Sequence, residues 1–194
     1  MSSNISVINE AMVRIGVPPL ASLDDLSAQA LSATNIFNAV QESCLSEHPW
    51  SFALREVKLP KVALPEDVKP NFLQYSNIYQ LPSDCVCVLG FWSRARFMVA
   101  GAQLFTDESD SELLYTRKVG PPLWNPLFRR WVVLSLAAAF AVSLTDDYKR
   151  AEVFYAEARE ARRTAKAIDS QQTPSYVFDM LREYASAGNY LGAS

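Results

Sequence analysis

The sequence predicts an α+β fold: a mainly helical core of about four helices, an antiparallel β module inserted between helices two and three, and a C-terminal tail. Three observations predict it. Apolar residues recur at helical spacing before residue 50 and again between about 126 and 168. Between these stretches the pattern breaks into short apolar runs separated by Pro, Asn, Asp and Gly, as in strands joined by turns. Pro49 and Pro121-Pro122 mark the two changes of period. The expected organisation is a helical domain of residues 1–50 and 120–169, a β module of 51–119 and a docking tail of 170–194.

Ile5, Ile8, Met12 and Ile15 set the first helix, which Gly16 and Pro18-Pro19 stop. Asp24, Asp25 and Ser27 suit the start of the second. Its apolar stripe is Ala30, Ala33, Phe37, Val40 and Cys44, and it is expected to end at His48, because the following proline disfavours the α conformation there. Five or six short strands follow. Ala100-Gly101-Ala102 is expected to form a tight turn. Asn125 and Pro126 have cap and first-turn chemistry for the third helix. Thr145-Asp146-Asp147 opens the fourth, whose stripe is Phe154, Ala158, Ala161, Ala165 and Ile168.

The apolar run Trp131–Leu144 reads as a buried helix, too short to cross a bilayer and bracketed by charges, so no membrane partner is expected. With 49% hydrophobic residues, the 194-residue chain can bury a core. A net charge of −3 and the lack of a basic cluster argue against tight nucleic-acid binding. Three cysteines, an odd number, argue against a disulfide-built fold.

The chemistry on offer is sparse. Cys44 and His48, the only histidine, stand four apart and form the one candidate nucleophile–base pair, the basis of an alternative reading as a small thiol hydrolase. Cys44 continues an apolar stripe, however, and buried cysteine behaves as a small hydrophobe. Cys85 and Cys87, by strand alternation, are expected on one face, but without paired C-x-x-C spacing they do not suggest zinc. Asp107, Glu108, Asp110 and Glu112 lack the glycine of a calcium loop and read as solvated surface. No phosphate-binding or hydrolase motif is present, so the expectation is a non-enzyme without catalytic residues, metal or cofactor. His48, Pro49, Trp50 and Phe52 are expected to form a structural joint. In it His48 bonds backbone, and Trp50, Phe52 and Leu54 share a strand face packed on the helices. Tyr176, Val177, Met180, Leu181 and Tyr184 make an amphipathic patch in the tail and are the candidate partner-binding residues.

Taken in order, AMVRIGVPPLASLDD, SEHPWSFALREVKLP, YQLPSDCVCVL, MVAGAQLFTD with LLYTRKV, and WNPLFRRWVVLSLAAAFAVSLT resemble the head-to-tail adaptor family of tailed bacteriophages, called tail tubular protein A in short-tailed phages. The resemblance runs from about residue 5 to 169 and departs from the family pattern at Phe37, Gln41-Glu42 and Cys87. It implies a structural virion protein, assembled in the host cytoplasm and located in the neck between capsid and tail. Such a protein forms a ring, usually twelvefold, that binds the portal on one side and the tail or nozzle on the other. DNA passes through the ring without sequence-specific binding.

Overall fold

In a computed structural model the described residues are 3–24, 27–62, 75–109, 112–172 and 179. The chain is α+β: four helices and two small antiparallel sheets. It divides into two units. One comprises the chain through Ala53 together with Val119–Gln172, and the other includes Leu54–Lys118. The change to β therefore comes three residues later than the sequence suggested, because 51–53 form a turn that belongs to the helical unit.

In the helical unit, α1 (Asn4–Arg14) is capped by Ser3, whose hydroxyl accepts from the Ser6 N–H. Gly16, at φ +79°, ends it in a Schellman motif: the Val17 N–H reaches the Met12 carbonyl and the Gly16 N–H the Val13 carbonyl. Asn9 then holds the following loop by exchanging two hydrogen bonds with the backbone of Leu20. The segment R-I-G-V-P-P-L is thus a helix stop with a clamp.

Helix α2 (Ala28–Ser46) begins at the Ser27 cap. Its buried face is Ala30, Ala33, Phe37, Gln41, Cys44 and Leu45. Val40 is only half-buried, and Gln41 lies inside because its amide donates to the Val119 carbonyl (2.9 Å). The Trp124 indole donates to the same oxygen (2.8 Å).

Asn125 caps α3 (Pro126–Thr145), the core helix that packs on α1, α2 and α4. At 20 residues α3 is long and apolar enough to cross a membrane by length and composition, which corrects the expectation of a run too short to do so. Its burial against three other helices is what a core helix of this composition shows. Asp146, in the left-handed conformation, turns the chain, and the Asp147 carboxylate accepts from the Arg150 N–H at the start of α4 (Tyr148–Gln172). Small residues Ala151, Ala158, Ala161 and Ala165 let α4 lie close on α3. The stripe departs from expectation at its end: Ile168 is exposed, and Asp169 takes the buried place one position on.

The β unit holds β1 (Leu54–Lys58), β2 (Asn77–Gln80), β3 (Cys85–Phe91), β4 (Phe97–Ala100), β5 (Gln103–Thr106) and β6 (Glu112–Arg117). They form two sheets, β1-β6-β3 and β2-β5-β4, joined through Leu59, Tyr79, Phe91, Leu104, Leu113 and Tyr115. Gly101, at φ +59°, sits first in the two-residue turn between β4 and β5, where a left-handed residue matches the twist of the strands. The two cysteines of β3 do not share a face. Register shifts at Cys85/Cys87 and Val88/Gly90 each insert one residue, so Cys85, Val88 and Phe91 point into the main core at intervals of three. Cys87 packs with Leu54, Leu89 and Leu114 on the other side of the sheet.

In the acidic turn, Asp107 accepts from the N–H and hydroxyl of Ser76, and the Glu108 carbonyl accepts from Asn77 and the Tyr79 hydroxyl. The turn is therefore a brace for β2 rather than merely solvated surface, although Asp110 lies outside the described residues. Asp84 of the L-P-S-D segment accepts from the Tyr115 hydroxyl (3.0 Å), and its carbonyl accepts from the Lys118 N–H (2.7 Å).

Candidate functional site

The stretch after α2 folds back on itself. The Trp50 N–H bonds the His48 carbonyl and the Ala53 N–H bonds the Trp50 carbonyl, giving a turn where a strand was expected. Strand alternation therefore does not apply to Trp50 and Phe52. Their rings instead lie beside one another, 6.0 Å apart. Trp50 is fully buried, with edge contacts to His48 and Phe128, a tilted contact to Trp131, and its indole N–H on the Cys44 carbonyl (2.9 Å). That bond caps the last turn of α2. Pro49 is buried beside it. The structure thus brings His48, Pro49, Trp50 and Phe52 together, as a knot inside the helical unit.

The His48 Nε2 faces the Asp169 carboxylate at 3.4 Å. Asp169 is completely buried and accepts from both the N–H (3.0 Å) and the hydroxyl (2.8 Å) of Ser51. Burial pushes its pKa up, but the contacts with His48 and Ser51 outweigh that and hold it below the ordinary value of 3.8. Ser, His and Asp meet here, yet the order is wrong for nucleophilic catalysis: the serine proton goes to the carboxylate, not to the imidazole. The sequence reading missed Asp169. The available signal was an aspartate four residues after Ala165, on the continuation of a small-residue stripe.

Cys44 lies at the edge of an open groove of about 720 Å³. Helix α2 supplies Ala39, Val40 and Ser43, α3 the floor of Trp131 and Ala139, and α4 Tyr155 and Ala158. Glu47 closes one end, accepting from Arg162 (3.1 Å) and Lys166 (3.0 Å). Burial and the nearby Glu47 carboxylate push the Cys44 thiol up to about 12, against smaller opposing effects of Ser135, Lys166 and Arg162. A thiol raised in this way is protonated at neutral pH.

Among the described residues no group of three or more His, Cys, Asp or Glu side chains is arranged to hold a metal. Tyr176, Val177, Met180, Leu181 and Tyr184 lie outside the described residues. Fold and site together define an α+β protein with a braced turn and an open, mainly apolar groove in its helical unit. No family model matches the chain, and no curated protein matches it.

Proposed function

We propose that the chain is a head-to-tail adaptor of a tailed bacteriophage, a structural virion protein of the neck. In this role it forms a ring, twelvefold by family resemblance, that joins the portal to the tail or nozzle and lets the genome pass. The observation that carries the proposal is the ordered series of segments from about residue 5 to 169, with R-I-G-V-P-P-L, H-P-W-S-F-A and L-P-S-D-C at its centre. The local chemistry is in keeping with it. In these segments Gly16 makes a helix stop, the Trp50 indole caps the α2 terminus, Ser51 donates to Asp169, and Asp84 accepts from the Tyr115 hydroxyl. The thiol-hydrolase alternative gains nothing from a Cys44 thiol pushed up to about 12. A mildly acidic chain also suits a channel, since a basic lumen would hold DNA instead of letting it slide.

The test is a mixture of the purified chain with portal rings, imaged in negative stain. Decoration of one end of the portal by a ring is expected. Bare portals, together with virions that lack the protein yet retain DNA and attach tails, would overturn the proposal.

A further inference from the structure

We draw no further inference here: the strongest candidate, the open groove that α2, α3 and α4 line around Trp131 and Tyr155 in the helical unit, carries none because nothing in the structure shows what covers it.

Discussion

Asp169 carries its charge at a fully buried position, where an unpaired carboxylate would be costly. Three donors or contacts, two from Ser51 and one from His48, compensate it. Asp169→Ala should therefore cost about 3 kcal/mol, because it strands those groups and leaves a cavity, as read by urea denaturation. The pH dependence has a definite sign. A carboxyl whose folded pKa lies below 3.8 binds its proton more tightly in the unfolded chain. Its contribution is intact above the unfolded value and disappears as pH falls through the lowered one. The urea midpoint of the wild type should thus fall in this acid range, and Asp169→Asn should flatten that limb. An unchanged acid limb would remove Asp169 from the explanation. At Trp50, truncation to Ala should cost about 3–5 kcal/mol, whereas Trp50→Phe keeps a ring and loses mainly the bond to the Cys44 carbonyl, about 1 kcal/mol. Cys44 should react with iodoacetamide only as fast as the helical unit opens; rapid labelling at neutral pH would restore the case for a reactive thiol. Of this cluster the sequence disclosed Trp50 and the burial of Cys44, both of which follow from local pattern. It did not disclose Asp169, which meets both Ser51 and His48, since Ser51 and Asp169 are 118 positions apart and no local period links them.

At the scale of elements, the starts of α2 and α3 were legible because caps are chemical: Ser27 and Asn125 each accept from an N–H three residues on, as Ser3 does at α1, where the sequence showed only the apolar spacing. The stop of α1 was equally plain, and Gly16→Ala should cost about 1–2 kcal/mol through its left-handed backbone alone, since an added Cβ meets only Arg150 at 3.9 Å. A smaller loss in thermal melts would mean the turn relaxes. Strand locations were legible too, but the faces of β3 were not. Period-two alternation assumes an unbroken ladder, and two bulges within seven residues break it. Nothing in C-V-C-V-L-G-F marks the first of them, while Gly90, at φ +139°, marks the second.

For the whole molecule, the α+β class and the order of helices and strands were legible because they follow from where the hydrophobic period changes. The groove was not, because it arises where three helices fail to fill a space, and a sequence pattern records contacts better than gaps. The return of the chain to the helical unit is fixed at one atom, the Val119 carbonyl, by donors from Gln41 and Trp124. Two donors on one acceptor make this point fault-tolerant. Losing either still leaves the oxygen partnered, whereas losing both strands it in the core. Gln41→Leu and Trp124→Phe should each be mild in urea denaturation, and their combination should exceed the sum of the two by about 1 kcal/mol. A backbone oxygen cannot itself be changed by a codon, so its security is written into two distant ones, and sequence drift at either position is survivable as long as the other holds.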